Sequence, residues 1–316
     1  MNMQNKIEND INKPTELDFF RFVYERQLIW YKRFILKQNR PWTKDQTLQR
    51  YKIINMYREL DKCTIYLVNK LKDIKDRKSV LINVIFYRFF NLYNLYEDLN
   101  IPPFNEINDE LKFELIKRFN NLKESRPIFN NAYLISSGGR GIKHINVLEN
   151  LANLDLNKLI EDIDNSKTTE ESFSYIIKIP MVGPFLACEI WTDLTYFNWF
   201  KLGWNDNDFV NIGPGAKWGL EILYGKISKK ELRIKLYQLR DMQRKIFSKF
   251  EDEIPWEKIA FKEASSNYPY LSITNIEGAL CEFRKYWRIS HGEGRRKYFV
   301  PFEIKFDMIT NKDLFF

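Results

Sequence analysis

Polar residues fill the first positions of the chain, and the pattern changes at Glu16. From there Phe19, Phe20, Phe22, Val23, Leu28, Ile29, Trp30 and Phe34 recur at helical spacing, with Arg21, Glu25, Arg26, Lys32 and Arg33 between them. That periodicity predicts an amphipathic helix. Arg40-Pro41-Trp42 breaks it. Thr43 with Gln46 then has the spacing of a capping box, predicting a helix through Ile53, Tyr57, Leu60 and Ile65. Further helices are predicted over 80–95, where Phe86, Tyr87, Phe89, Phe90 and Tyr93 cluster, over 108–121 and over 148–163. Thr168 with Glu171, Ser228 with Glu231 and Thr274 with Glu277 repeat the capping spacing and open helices reaching about Ile179, Phe250 and Arg288. Pro180 to Pro184 is a tight hairpin followed by a helix through Trp191, and 204–215 is irregular and acidic. Strand-like alternation is confined to short candidates near Tyr298 to Phe306. The expected fold is all-α with little or no sheet. A polar extension over 1–15 would precede a single helical domain over 16–316. Within it lie a helical lobe at about 16–125, a hairpin-bearing lobe at about 126–225 and basic C-terminal helices at about 226–316.

Composition narrows the function classes. Among 316 residues 44% are hydrophobic and 16% aromatic, which excludes a disordered chain. Fifty basic against 42 acidic residues leave a net charge of +8, pointing to a polyanionic partner. Cys63, Cys188 and Cys281 lie too far apart for a CxxC zinc knuckle or a disulfide framework. His144 and His291 cannot supply a three-imidazole metal site. No apolar run is long enough to span a membrane, and the first residues lack a signal-peptide core. The expectation is a reduced cytoplasmic protein with no membrane partner, no obligate protein partner and no metal.

The residues offer several chemistries. Ile179 to Ala187 resembles the hairpin of a helix-hairpin-helix motif. There Gly183 would adopt a backbone conformation other residues resist, and free amides around Val182, Gly183 and Phe185 would hold a phosphate. An ordinary turn between helices is the plainer alternative. Asp206 and Asp208, in the loop beyond the next helix, can orient water or stabilise positive charge, or can simply cap a turn. Trp42, Tyr51 and Tyr57 could line a base pocket by stacking, or could pack the core. Asn55 and Arg58, three apart, would share a helix face and could hydrogen-bond a base or phosphate, or Arg58 could pair with an acid. The glycine-dense loop from Ser136 to Gly141, with Arg140 and Lys143, could cradle a phosphate or serve as a connector. Lys285, Arg295, Arg296 and Lys297 form a basic cluster that could track a DNA backbone, as could the basic helix from Lys229 to Lys249.

Several segments together carry a family resemblance. Arg21-Phe22, Glu25-Arg26, Pro41-Trp42-Thr43, Asp45, Asn55 and Tyr57-Arg58-Glu59 stand in the N-terminal part. The hairpin, Asp208-Phe209 and Gly213-Pro214-Gly215-Ala216 follow, with Ile276-Glu277-Gly278, Cys281-Glu282-Phe283, Lys285-Tyr286 and Gly292-Glu293-Gly294-Arg295 near the end. The combination resembles the α-glutamyl/putrescinyl thymine pyrophosphorylases, which share a helical domain with 5-hydroxymethyl-deoxyuridine DNA kinases, over about residues 18 to 300. The resemblance implies a helix-hairpin-helix, DNA glycosylase-like fold that handles modified pyrimidines in double-stranded DNA. It implies either of two activities. The leading expectation is an antiphage DNA glycosylase of the Brig type, which flips out and excises a bulky pyrimidine such as glucosylated hydroxymethylcytosine. Asp208 would then be the catalytic carboxylate, with Asp206 second, and no cofactor would be needed. Phe185 stands where strand-cleaving relatives carry a lysine, so Lys-dependent strand cleavage is not expected. The alternative is an amino acid:DNA transferase that displaces pyrophosphate from an activated 5-hydroxymethyl pyrimidine. A sensor that binds modified DNA is the non-enzymatic reading. The sequence contains no GxxxxGK[ST] phosphate loop.

Overall fold

Thr15 starts the first helix, α1 (Glu16–Trp30), by accepting the Asp18 N–H, while the Asp18 carboxylate accepts the Thr15 N–H at 2.7 Å. The computed structural model describes residues 13–131, 133, 135–250, 254–261 and 270–300. Beyond α1 the helix widens into a π-turn over Tyr31–Ile35, and α2 (Gln46–Arg50) follows, capped by Asp45. Next come α3 (Lys62–Leu71), α4 (Arg77–Phe90), α5 (Leu95–Asp98), α6 (Asp109–Ser125), α7 (Lys143–Ala152) and α8 (Leu156–Asp164). The hairpin helices are α9 (Thr169–Ile176) and α10 (Pro184–Thr195). The chain continues with α11 (Pro214–Tyr224), α12 (Lys229–Phe247), α13 (Trp256–Ile259) and α14 (Ile273–Ser290). The fold is all-α. Among the described residues the β-structure amounts to one antiparallel bridge, Tyr51 to Tyr298, and the rest of the predicted 298–306 strand lies outside them beyond Val300.

The helices group into two compact units. One joins the chain up to Asp61 with the chain from Ile212 onward, and the other runs from Lys62 to Asn211. In the first unit Phe19 and Phe22 of α1 meet Phe283 of α14, and Phe20 meets Phe247 of α12, with ring centres 5.4 to 5.5 Å apart. Its closest helix pair is α11 with α14. A Cβ on Gly219 would sit 2.4 Å from the Leu280 carbonyl oxygen, and one on Gly215 would sit 2.3 Å from the Cys281 sulfur. The Gly-Pro-Gly-Ala stretch is therefore a packing feature, since only residues without a Cβ let these two helices approach so closely. In the second unit α4 is buried on every side, from Ser79 to Phe90, and packs against α3, α7, α8 and α10. A helix buried on every face belongs at the centre of its unit.

Three local expectations are corrected. The predicted helix from Thr43 to Ile65 is α2, an extended segment, a 3-10 turn over Arg58–Leu60 and α3. Side chains satisfy the backbone of the extended segment and so hold it out of a helix: Arg26 donates to the Ile53 carbonyl at 3.1 Å, Glu282 accepts from the Ile54 N–H and Asn275 from the Arg58 N–H. Thr43 does not cap α2 but donates to Glu25 at 2.9 Å, and Ser272 rather than Thr274 caps α14. The predicted helix over 148–163 is two, because Asp155 starts α8 by accepting the Lys158 N–H. The capping box at Ser228 forms as expected; Thr168 caps α9 by accepting the Glu171 N–H, but the Glu171 carboxylate reaches back to the Lys167 N–H at 2.6 Å rather than to Thr168. Of the expected polar extension, residues 1–12 lie outside those described, while Thr15 belongs to the α1 cap.

Candidate nucleic-acid interface

The hairpin forms in the second unit. After α9 the chain turns through the Ile179 N–H to Ile176 and the Val182 N–H to Ile179 hydrogen bonds, and Val182 is buried; its N–H, expected free for a phosphate, is taken by the turn. Met181, not Gly183, takes the left-handed conformation, with φ of 66°. Gly183 is the N-cap of α10 at φ −90° and ψ 175°, extended backbone that any residue adopts. Its expected conformational role is thus corrected. A Cβ on Gly183 would meet nothing within 4 Å. No side chain caps α10, and Pro184 stands in its first turn. Glycine at this cap answers no need of the fold, and no side chain caps the α10 amides at the positive end of the helix. Phe185 is half exposed and packs edge-on against Tyr133 at 5.0 Å.

The glycine-dense loop lies against this turn. A Cβ on Gly138 would be 2.7 Å from the Met181 sulfur, and Asn146 of α7 holds the Ser137 carbonyl at 2.8 Å. Arg140 is exposed beside it. Lys143 lies over the Phe129 ring at 4.4 Å, and burial lowers its ammonium pKa. The structure thus brings together two groups of residues that the sequence could only name separately, the hairpin and the Arg140 loop.

Beneath the hairpin helix lies a polar network absent from the sequence expectations. Arg88 of α4 is buried and grips Asp193 of α10 through two nitrogens, with Nη2 to Oδ1 at 2.8 Å. It also donates to Asn91 at 2.8 Å, to Thr64 at 3.0 Å and to the Tyr133 hydroxyl at 3.3 Å. Tyr133 in turn donates to Glu189, whose carboxylate lies 3.7 Å from Arg88. Phe185, Glu189 and Asp193 are spaced four apart on α10, so one face of an otherwise apolar helix carries them all. That spacing is the signal that could have found them.

Asp208 is exposed in the loop after α10 and closes a turn, accepting the Asn205 N–H at 2.8 Å. Asp206 is buried, which corrects its expected access to a substrate. Phe209 anchors the loop on Trp191 and Phe173 at 5.2 and 5.1 Å. Among the described residues no group of three or more His, Cys, Asp and Glu is arranged to hold a metal.

The remaining candidates belong to the first unit. Tyr57 is buried and stacks on Trp256 at 6.3 Å, so its ring serves the core. Asn55 accepts from Arg26 at 2.9 Å and donates to the Leu60 carbonyl at 2.7 Å. Asn55 and Arg58 share no helix face, because the chain between them is not helical. Burial lowers the Arg26 pKa to about 10, against the pull of Glu282. Lys285 is tied to Glu282 at 3.1 Å and to the Lys52 carbonyl. Arg295 is exposed, Arg296 holds the Gly292 carbonyl at 2.9 Å and the Lys297 carbonyl accepts the Lys52 N–H. Trp42 and Tyr51 are partly exposed and meet Phe299 and Tyr298 respectively, with Arg33 and Arg40 over the Trp42 ring.

Residues 14–296, spanning both units, match the family described as the 5-hmdU DNA kinase, helical domain. The chain is 27% identical over 293 residues to a 5-hmdU DNA kinase of Bacillus phage SP10, covering 85% of this chain and 44% of that relative. It therefore spans less than half the length of that kinase. No solved structure matches it. With the helical match running from the first cap through α14, the chain belongs to the family of the 5-hmdU DNA kinase helical domain.

Proposed function

We propose that this protein binds DNA carrying a 5-hydroxymethyl pyrimidine and modifies that base with the glycosidic bond retained. The observation that carries the reading is the likeness to a 5-hmdU DNA kinase through 85% of this chain. The hairpin adds a physical reason for DNA. An uncapped helix start with a glycine that neither backbone angle nor packing requires admits a phosphate to the α10 amides. Arg140 and the neighbouring glycine loop add positive charge beside it. The reaction class follows the pyrophosphorylase resemblance. An amine attacks the 5-methylene carbon of an activated base, a C–N bond forms and the C–O bond to pyrophosphate breaks.

Excision of the base is the second reading. It is favoured by Asp208, an exposed carboxylate in the loop that follows the hairpin helix. Three duplexes separate the readings: one with thymine, one with 5-hydroxymethyluracil and one with its pyrophosphate ester, each incubated with an amine. Pyrophosphate release from the third with an alkali-stable strand is expected. Alkali-labile sites in any of them would replace modification with excision, and no change in any would overturn both.

A further inference from the structure

Gly215 and Gly219 bring α11 against α14 in the first unit, and between them in the sequence stands Trp218. Its indole is 46% exposed, and the guanidinium carbon of Arg284 on α14 lies 3.9 Å from the ring centre. The ring attracts the cation through its face and leaves the guanidinium N–H donors for other partners. Among the described residues Arg284 makes no hydrogen bond or ion pair. Burial lowers its pKa, and the Arg288 charge lowers it further. The neighbouring Cys281 thiol does not answer that charge. Burial, with its sulfur against Gly215, pushes its pKa up to about 11, so it is neutral at physiological pH. Glu221, three residues from Trp218, pairs with Lys217 at 3.8 Å.

The positive surface continues along α14. Arg288 stands four residues beyond Arg284 and so shares its helix face. It pairs with Glu293 at 3.4 Å, with both side chains largely exposed. After α14 the chain folds back on this residue. The Glu293 N–H donates to the Arg288 carbonyl at 2.7 Å, and a Cβ on Gly294 would sit 3.4 Å from the Arg288 Cβ. The exposed Arg295 comes next in the chain. Lys217, Arg284, Arg288 and Arg295 thus outnumber Glu221 and Glu293, and the patch is positive. An inorganic anion or an acidic peptide would use these charges and leave the indole idle. A nucleic-acid strand uses both, with a phosphate on the guanidiniums and a base on the ring.

We propose that Trp218, Arg284 and Arg288 bind an unpaired stretch of a DNA strand, one backbone phosphate lying between the two guanidiniums and the adjacent base on the indole. The assignment rests on the reading that this chain handles DNA, and it adds a contact in the first unit to the hairpin contact in the second. Bases inside a duplex are stacked on one another, so only an unpaired one reaches the indole. A free nucleotide offers the same chemistry. The cations continuing past Arg288 to the exposed Arg295 extend the surface beyond one nucleotide and favour the strand.

The test measures the affinity of the full chain for a blunt duplex and for the same duplex with a single-stranded overhang, across a salt series. It compares the wild type, Trp218→Leu and the double variant Arg284→Gln with Arg288→Gln, with thymidine monophosphate as a separate arm. The wild type should prefer the overhang. Trp218→Leu should weaken overhang binding by about 5-fold or more, the lower end of base stacking on a ring, and keep the salt slope. Loss of one phosphate contact on a single strand flattens the log-affinity against log-salt slope by about 0.7, the change expected of the double variant. Trp218→Leu, at an exposed position, carries the test if the double variant does not fold. A wild type that binds both DNAs equally overturns the site. So does an unchanged slope in the folded double variant, or an unchanged overhang affinity in Trp218→Leu. Nucleotide binding that the variants lose, with their overhang affinity unchanged, assigns the patch to a small anion and also overturns it. A wild type that binds neither DNA removes this proposal and the proposed function together. Weakening by a hairpin variant but by none of these removes this one alone.

Discussion

Gly183→Ser separates the stability of the hairpin from its use. At φ −90° and ψ 175° the residue lies close to the angles of Ser228 (−73°, 161°) and Ser272 (−63°, 169°), whose hydroxyls cap their helices. The added Cβ meets nothing, so the new side chain is accommodated without strain. A serine hydroxyl here would accept the Leu186 N–H, adding a few tenths of a kcal/mol relative to glycine. Loss of the glycine's freedom in the unfolded chain adds about 0.4–1 kcal/mol. The sum, about 1 kcal/mol, raises the melting temperature by roughly 2–4 °C for a unit of this size. The same hydroxyl removes an amide from any bound phosphate. A hydrogen bond to a charged group contributes about 1.5–3 kcal/mol, so affinity for duplex DNA should fall by about 10-fold or more. Thermal melting and duplex titration on one preparation read both effects. A raised melting temperature with unchanged affinity refutes the phosphate role of the hairpin. A lowered melting temperature refutes the open geometry at Gly183.

Other expectations follow from the packing. Asp193→Leu removes the carboxylate that buried Arg88 grips through two nitrogens, leaving Glu189 at 3.7 Å and neutral partners such as Asn91 and Thr64, and should cost about 3 kcal/mol in urea unfolding; a loss under about 1 kcal/mol contradicts the network. Gly219→Ala drives a methyl into the Leu280 carbonyl and should cost about 1–3 kcal/mol by the same assay, whereas unchanged stability would show that α11 and α14 are not so close. Asp164, on α8, accepts from Arg77 at 2.7 and 3.0 Å and from Lys201 at 2.7 Å. Burial raises its pKa, but these cations outweigh burial and the net shift is downward. Its contribution is therefore present above the unfolded value of about 4 and lost as pH falls through the lower folded value. Asp164→Asn should cost about 2 kcal/mol at neutral pH, with the gap to the wild type closing in acid; a gap independent of pH would refute the pairing.

The fold class was legible because helical periodicity and caps such as Thr168 and Ser228 act locally. The extended segment after α2 was not. Its partners, Arg26, Asn275 and Glu282, come from distant parts of the chain, and their side chains replace the helix's own hydrogen bonds. The hairpin was visible as a glycine and prolines between two helical patterns, but the left-handed residue is Met181 rather than Gly183. The Gly-Pro-Gly-Ala stretch stood out as a motif, while its meaning, the close approach to Leu280 and Cys281, required the partner helix. Phe185, Glu189 and Asp193 were readable as one face of α10. Arg88, which gives that face its purpose, lies on another helix.

The most direct test of the central claim is the nucleoside mass profile of DNA containing pyrophosphorylated 5-hydroxymethyluracil, after incubation with the protein and either glutamate or putrescine. The account predicts a new nucleoside heavier than thymidine by the mass of the coupled amine less two hydrogens, in a strand that survives alkali. Release of free base with alkali-labile sites, or a nucleoside profile identical to the untreated DNA, would contradict it.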